Sequence, residues 1–599
     1  MYLCRMLPTS RKELDRLGID RPDIILFSGD AYVDHPSFGT AIIARVLQAQ
    51  GYSVAVVPQP NWRDDLRDFK KLGAPRLFFG VSAGNMDSMV NHYTAAKRLR
   101  SNDAYTAGGR AGMRPDYAVT VYTRILKQLY PDVPVVIGGI EASLRRLTHY
   151  DYWADALKPS VLIESGADYL VYGMGERSVV ELARKFAEGA AAEQLRATPQ
   201  IAYVAEIEKL VSSGVQIVDK SDKCATTAGS AYETAPGIIR LPSHAACQSS
   251  KKTFANHFKI IEEQANAANP PVLTEPMEEG GGPVVVVNPP FPPMTQTQLD
   301  AVYDLPFTYD AHPRYKGKKI PALEMIRFSI CLHRGCFGGC SFCTIAAHQG
   351  RSISWRSKDS VLKETAALTA LHSFKGHLTD LGGPTANMYA MEGKNKDICS
   401  KCKRTSCLYP AVCKNLNTSH KPLLEMYKAV REYPGVKKVT IGSGIRYDLF
   451  LDENGFLNKE GKQYFKELLQ HHVSGRLTIA PEHTEDHVLR MMHKPPFAMY
   501  RFFQQAFYKE IKEQGYRWQL VPYFISSHPG CTLSDMNHLA GIFKKERIRV
   551  EQVQDFTPTP MTKSSVMFYT GLVPETGQPV FVERQIQKKA LQKESFFYH

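Results

Sequence analysis

No stretch of this 599-residue sequence approaches the roughly 18 consecutive apolar residues that a membrane-crossing helix needs. The longest strongly apolar run is Val284-Val285-Val286-Val287. The opening Met1-Tyr2-Leu3-Cys4-Arg5-Met6 lacks the long apolar core of a secretory signal, so a soluble, cytoplasmic protein is expected. There is no short solenoid repeat and no long block of like charge, only clusters such as Lys316-Gly317-Lys318-Lys319. Hydrophobic residues at 43% and charged residues at 22% exclude a disordered tail, a collagen-like chain and a coiled-coil rod. The length fits two to four domains. The net charge of +14 permits a polyanionic partner, a nucleic acid or a nucleotide, without requiring one.

Cysteine is sparse until residue 330 and dense after it: nine of the 12 cysteines follow, eight of them within Cys331–Cys413. Clustered thiols in a chain without an export signal point to metal before disulfides.

Apolar strands alternate with helical patterns early in the chain. The strands are Asp23–Phe27, Ser53–Val57, Arg76–Val81, Pro134–Gly139 and Ala167–Tyr172; the helices include Thr40–Gly51, Asp116–Tyr130 and Glu176–Glu188. Nearly continuous apolar strands predict a parallel sheet covered on both faces, an α/β doubly wound, Rossmann-like domain over 1–190. Residues 191–320 read as a connector with helical patches around Ala202–Ser213 and Lys251–Ala268 and with Pro/Gly clusters. A second series occupies 321–560, with strands at Met325–Cys331, His377–Leu381, Val436–Ile441, Arg476–Ala480, Gln519–Ser526 and Val550–Phe556. Helices at Ser360–Leu371, Pro422–Glu432, Lys459–His472, Tyr500–Gln514 and Ser534–Glu546 separate them. Six β/α repeats predict a partial TIM-type barrel with its chemistry at the C-terminal strand ends. Residues 561–599 form a C-terminal extension.

The first strand of that series runs into a glycine-containing loop in which Cys336, Cys340 and Cys343 are spaced C-x3-C-x2-C. Iron–sulfur clusters take thiolate ligands, normally four. Three would leave one iron of a 4Fe–4S cluster open to a small molecule. Zinc is the alternative, with Cys331 or His333 as the fourth ligand.

With Phe342 in the aromatic position, this loop resembles that of the radical S-adenosylmethionine (SAM) enzymes. The resemblance implies a 4Fe–4S cluster on Cys336, Cys340 and Cys343, SAM on the open iron, and an electron donor such as flavodoxin or ferredoxin. It also implies reductive SAM cleavage to start radical chemistry, on a substrate it does not name. Phe342, Gly382-Gly383 and Gly442-Ser443-Gly444-Ile445-Arg446 resemble the superfamily's SAM-binding segments, making Phe342, Gly382, Gly383, Ser443 and Arg446 the cofactor-site candidates. Two glycines expose backbone to a ligand, and Arg446 can pair bidentately with a carboxylate. Ala480-Pro481-Glu482-His483 ends the fourth strand and supplies two titratable catalytic candidates, Glu482 and His483.

A second group, Cys399, Cys402, Cys407 and Cys413, has enough ligands for an auxiliary iron–sulfur cluster or a zinc ion. An α/β domain before such a barrel resembles the cobalamin-binding subgroup, but Asp34-His35 breaks that subgroup's Asp-x-His spacing and argues against cobalamin. Cys4 alone in the first domain argues against the three-cysteine cluster of methylthiotransferases. Over most of its length the chain resembles the YgiQ-type radical SAM family. Leu7-Pro8-Thr9-Ser10-Arg11, the stretch Gly29–Gly39, Gly138-Gly139-Ile140-Glu141-Ala142-Ser143 and Ile479-Ala480-Pro481-Glu482-His483 carry this resemblance. The competing reading is a non-catalytic metal-binding module that docks RNA through its basic surface; a cobalamin-dependent radical methyltransferase is a third.

Overall fold

The computed structural model describes residues 6–206, 217–219, 237–265, 267, 269–279, 281–452, 454–546 and 552–594. Cys4 lies outside them. The chain divides into two compact units: 1–292 with 305–324 and 559–561, and 293–304 with 325–558 and 562–599.

The first unit is built on a ten-stranded sheet. Five strands come from the first 190 residues: β1 (Ile24–Ser28), β2 (Val54–Pro58), β3 (Phe78–Ser82), β4 (Val135–Gly138) and β5 (Tyr169–Val171). They are parallel in the order 2-1-3-4-5, the flavodoxin-like doubly wound arrangement. All five residues of β1 and of β2 are buried, as expected for central strands covered on both faces.

Residues 191–320, expected as a connector, supply the other half of this sheet. They form β6 (Ile201–Glu206), β7 (Ile217–Asp219), β8 (Ile238–Arg240), β9 (Val272–Glu278) and β10 (Gly281–Val287). The sheet order is β7-β8-β9-β10-β6-β5-β4-β3-β1-β2. The helix expected from Ala202 is strand β6, held antiparallel to β5 (Leu170 opposite Ala202) and to β10 (Ala202 opposite Val287). A short apolar run does not distinguish strand from helix by periodicity, and here pairing on both edges decides. Residues beyond Glu206 in that stretch lie outside the described residues. One apolar core joins both halves of the sheet, with Ile25, Phe27, Phe79 and Tyr122 from the first and Leu273, Val285 and Val287 from the second.

The second unit carries the expected strand series in short parallel ladders. Strand β11 (Ser329–Cys331) pairs with β13 (Asp380–Gly382), and β12 (His377–Leu378) pairs with β14 (Lys438–Val439). Then β15 (Arg476–Glu482), β16 (Gln519–Ser526) and β17 (Gln552–Asp555) form one parallel sheet. Helices Lys358–Thr369, Lys421–Arg431, Lys459–Glu467, Phe497–Gln514 and Leu533–Glu546 alternate with them. The first strand is shorter than expected because Pro321–Ile326 is helical. The C-terminal extension packs onto this unit: Gln592 Oε1 accepts from the Ser527 N–H (2.9 Å) and from its hydroxyl (3.0 Å) at the end of β16.

Val285 is fully buried in β10 between Glu275 of β9 and Val204 of β6. Val285→Asp would bury an unpaired charge directly across from buried Glu275. We expect a loss of about 3 kcal/mol or more in urea unfolding followed by circular dichroism. Parental stability would show that 191–320 is a dispensable linker after all.

Candidate functional site

The C-terminal ends of β11, β13, β15 and β16 carry the chemistry-bearing residues of the second unit. A two-stranded bridge clasps the loop after β11, with His333 opposite Trp355 and Arg334 opposite Ser354. Gly335 turns the chain with φ +86°, and a Cβ there would overlap the Ser352 carbonyl oxygen at 2.0 Å, so only glycine fits. The Cys336 N–H donates to the Gly350 carbonyl (3.1 Å) and the Cys343 N–H to that of Cys340 (3.1 Å).

The loop has almost no secondary structure, yet its carbonyls are satisfied one after another. Ser406 Oγ donates to the Gly338 carbonyl (2.8 Å), and the Cys407 N–H to the Phe337 carbonyl (3.1 Å). His493 Nδ1 donates to the Gly339 carbonyl (3.0 Å), and the Ser564 N–H to the Ser341 carbonyl (2.9 Å). Buried backbone without such partners would be costly.

The three thiols are half-buried and close enough to influence one another. Burial and then the neighbouring Cys340 push Cys343 up to about 12 and raise Cys336. Arg446 supplies the opposing charge. Its Nη1 donates to Cys340 Sγ (3.2 Å), while Nε reaches Asp448 Oδ1 (2.9 Å) and Nη2 the other Asp448 oxygen. Burial disfavours the cation, but Asp448 and Cys340 outweigh it and hold the guanidinium well above its ordinary range. The Arg446 fork that the sequence offered to a ligand carboxylate is thus occupied by Asp448.

The remaining cofactor-site candidates lie around the same loop. Gly382 accepts from the Leu332 N–H through its carbonyl (2.6 Å), and a Cβ on it would meet Ser443 Oγ at 2.8 Å. A Cβ on Gly383 would meet His333 Nε2 at 2.6 Å. Ser443 donates its hydroxyl to Asp380, whose Oδ1 also accepts the Gly442 and Ser443 N–H groups (2.8 and 3.1 Å). Phe342 sits edge-on to His528, 6.1 Å between ring centres. Cys331 and His333 are turned away from a fourth-ligand role. Cys331 Sγ donates to the His333 carbonyl (3.2 Å), and His333 Nε2 to that of Thr385 (2.8 Å).

Glu482 and His483 differ in kind. His483 Nδ1 accepts the Glu485 N–H (3.0 Å), so the proton sits on Nε2, which faces Cys531 Sγ at 3.4 Å. That is a satisfied structural ring. Glu482 is buried past a bulge in β15 with φ +72°, an uncommon backbone state for a non-glycine residue. Lys494 Nζ lies 3.6 Å from Glu482 Oε1, and Oε2 has no hydrogen-bond partner. Burial raises its carboxyl, with Lys494 and then Arg446 pulling the other way. Asp380, Asp448, Ser406, His493 and Lys494 were not singled out from sequence. Asp448 could have been, since it stands two residues after Arg446; the others carry no local pattern.

The second cysteine group lies beside the first. Burial and then Cys413, Cys402 and Cys399 push Cys407 up to about 11. Phe337, Ile353, Met388, Met391, Leu408, Leu416 and Leu449 form one small apolar cluster, against which Cys336, Cys407 and Cys413 all pack.

In the first unit, the crevice where the strand order reverses, between β1 and β3, is the usual ligand position of this architecture. Buried Arg114 fills it, bridging Asp30 (2.8 Å) and Asp103 (2.9 Å). His35 is fully buried, accepting the Ser37 N–H at Nδ1 (3.0 Å) and lying edge-on to Tyr309.

Residues 6–329 match the family model described as Radical SAM N-terminal. The chain is 54% identical over 595 residues to a UPF0313 protein of Bacteroides thetaiotaomicron (99% of this chain, 94% of the other). It is 52% identical to one of Porphyromonas gingivalis (99% and 90%) and 44% to one of Methanosarcina acetivorans (99% and 78%). Among solved structures, it is similar at TM-score 0.48 and 15% identity to the radical S-adenosylmethionine methyltransferase TsrM of Kitasatospora setae with cobalamin and a [4Fe-4S] cluster bound (91% of this chain, 74% of the other). It is similar at TM-score 0.45 and 11% identity to the cobalamin-dependent S-adenosylmethionine radical enzyme OxsB (95% and 58%).

Burial holds His333 down to about 4, and His483 and His528 to about 3. Each is neutral in the fold and takes up a proton near pH 6.5 once unfolded. Their stabilisation is therefore complete above pH 6.5 and is lost as pH falls toward 4 and then 3. The His333 shift is worth roughly 3 kcal/mol and those of His483 and His528 roughly 5 kcal/mol each. The urea midpoint of the second unit should drop steeply from pH 6.5 to 4, and His528→Gln should flatten that slope; an unchanged slope would refute the assignment.

Proposed function

The chain belongs to the UPF0313 family and carries its Radical SAM N-terminal region, and from that premise we propose that it is a radical SAM enzyme. In this reading Cys336, Cys340 and Cys343 hold a 4Fe–4S cluster, and Phe342, Gly382, Gly383, Ser443 and Arg446 border the SAM that completes it. When bound and given one electron by an external donor such as flavodoxin or ferredoxin, that pair would supply reductive cleavage of the sulfonium, with methionine leaving, to start radical chemistry on a substrate.

The observation that carries this reading is the three-thiol loop, stripped of competing backbone demands and faced by a cation at Cys340. Its residues fit the group. Three thiols without a fourth protein ligand suit a cluster with one open iron and leave zinc incomplete, since Cys331 and His333 are committed to carbonyls. Arg446 offsets thiolate charge, and Asp448 keeps it in place. A side chain at Gly382 or Gly383 would collide with Ser443 or His333, so both positions keep glycine beside the three-thiol loop. Glu482, with one unpartnered buried oxygen and a raised carboxyl, is the group suited to hold or move a proton.

Reduced, oxygen-free protein should make 5′-deoxyadenosine from SAM, read by chromatography, and Cys340→Ala should make none. Undiminished product from that variant would overturn the ligand assignment. Arg446→Met removes a charged hydrogen-bond donor to sulfur, and product formation should fall about 10- to 100-fold.

A further inference from the structure

Cys399, Cys402, Cys407 and Cys413 take no part in the function proposed above, yet they are placed with care. Asn415 Nδ2 donates to Cys399 Sγ (3.2 Å), and the Arg404 N–H donates to Cys402 Sγ (3.5 Å). Asn415 is itself fixed by donating to the Asn395 carbonyl (2.9 Å) while its Oδ1 accepts the Asn395 N–H (3.0 Å). A Cβ on Gly393 would lie 2.2 Å from Cys399 Sγ, so the chain keeps glycine where that sulfur stands. The loop closes on itself through the Cys413 N–H to the Cys407 carbonyl (2.8 Å) and the Cys402 N–H to that of Cys399 (3.1 Å).

We propose that Cys399, Cys402, Cys407 and Cys413 hold a second iron–sulfur cluster, with a protein ligand on every iron, rather than a zinc ion. Spacing is the first argument. Zinc bonds of about 2.3 Å hold four tetrahedral sulfurs about 3.8 Å apart. Among the described residues, only Glu485, His487 and Asp535 bring three ligand atoms within 4.8 Å of one another. No three of the tetrad do so, and neither do Cys336, Cys340 and Cys343. A four-iron cube is larger than a single zinc ion and accepts sulfurs set further apart.

The surroundings are the second argument. N–H donors to sulfur and an apolar wall are the features by which a protein sets a cluster's potential. Here the wall is the cluster of Phe337, Met388, Met391, Leu408 and Leu416, against which Cys336, Cys407 and Cys413 all pack. Lys401, Lys403 and Arg404 lie within the loop itself, and the Arg404 charge opposes the rise of the Cys407 thiol. With four protein ligands this site has no open iron, so it does not take SAM.

This proposal stands apart from the SAM-cleavage reading and can fail separately from it. The test is anaerobic reconstitution of the full chain with iron and sulfide, followed by metal counting and Mössbauer spectroscopy with and without SAM. We expect about eight irons per chain, no zinc, and SAM perturbing only half of the iron signal. The variant Cys336→Ala/Cys340→Ala/Cys343→Ala should keep about four irons whose spectrum ignores SAM. The variant Cys399→Ser/Cys402→Ser should lose that SAM-insensitive half and keep the SAM-sensitive one. One zinc per chain, or no metal beyond four irons in the wild type, would overturn the proposal without touching the first cluster. A SAM-insensitive cluster alone would support it while refuting the first.

Discussion

A loop that presents three sulfurs to one small object must be rigid without the help of helix or strand, and its backbone must find partners elsewhere. In this protein Ser406, Cys407, His493 and Ser564 accomplish that, each taking a carbonyl of the segment between Phe337 and Ser341. They come from three separate stretches of the second unit. The short parallel ladders of the barrel matter mainly because they bring these stretches to one rim. An unsatisfied carbonyl there would cost more than a lost surface contact, because the loop is shielded from water.

Charge is the second constraint. Neighbouring half-buried thiols repel as thiolates, and among the described residues Arg446 answers Cys336 and Cys340. It in turn is neutralised by Asp448, and Asp380 plays the comparable part for Ser443 and the turn around it. Side chains that look ready for a ligand when read in isolation are therefore partly spent on holding each other. Glu482 is the exception, with Lys494 at some distance and one oxygen unanswered.

Local sequence revealed more of the second unit than of the first. Strand Gln519–Ser526 is found with the expected bounds, and the barrel helices begin within a few residues of theirs, because amphipathic helices and apolar strands each have a period of their own. The parallel, doubly wound character of β1–β5 followed from strand–helix alternation in the same way, but their order 2-1-3-4-5 did not. The half-sheet of residues 201–287 was hidden: Gly and Pro clusters at 280–283 and 289–293 border β10 and read as connector, and β6 and β10 meet across some eighty residues of chain, a pairing without local signature. At the site, the cysteine motif and Gly382-Gly383 stood out in the sequence because each is a local pattern. The supporting cast was not: Ser406, His493 and Ser564 serve through positions that only tertiary packing defines. His483 shows the converse, a conspicuous ring at a strand end whose two nitrogens turn out to be spoken for.

Ser564 clasps Ser341 by main chain and by hydroxyl (2.8 Å) and also meets His528 Nε2 (2.7 Å), and Gln592 secures Ser527 close to the end of the chain. Ser564 follows Ser341 by 223 residues, so this clasp is made long after the loop it holds. A nascent chain that has already emerged through its cysteine motif still lacks the latch that stiffens it. Any truncation before Ser564 would therefore leave the three-thiol loop without its clasp.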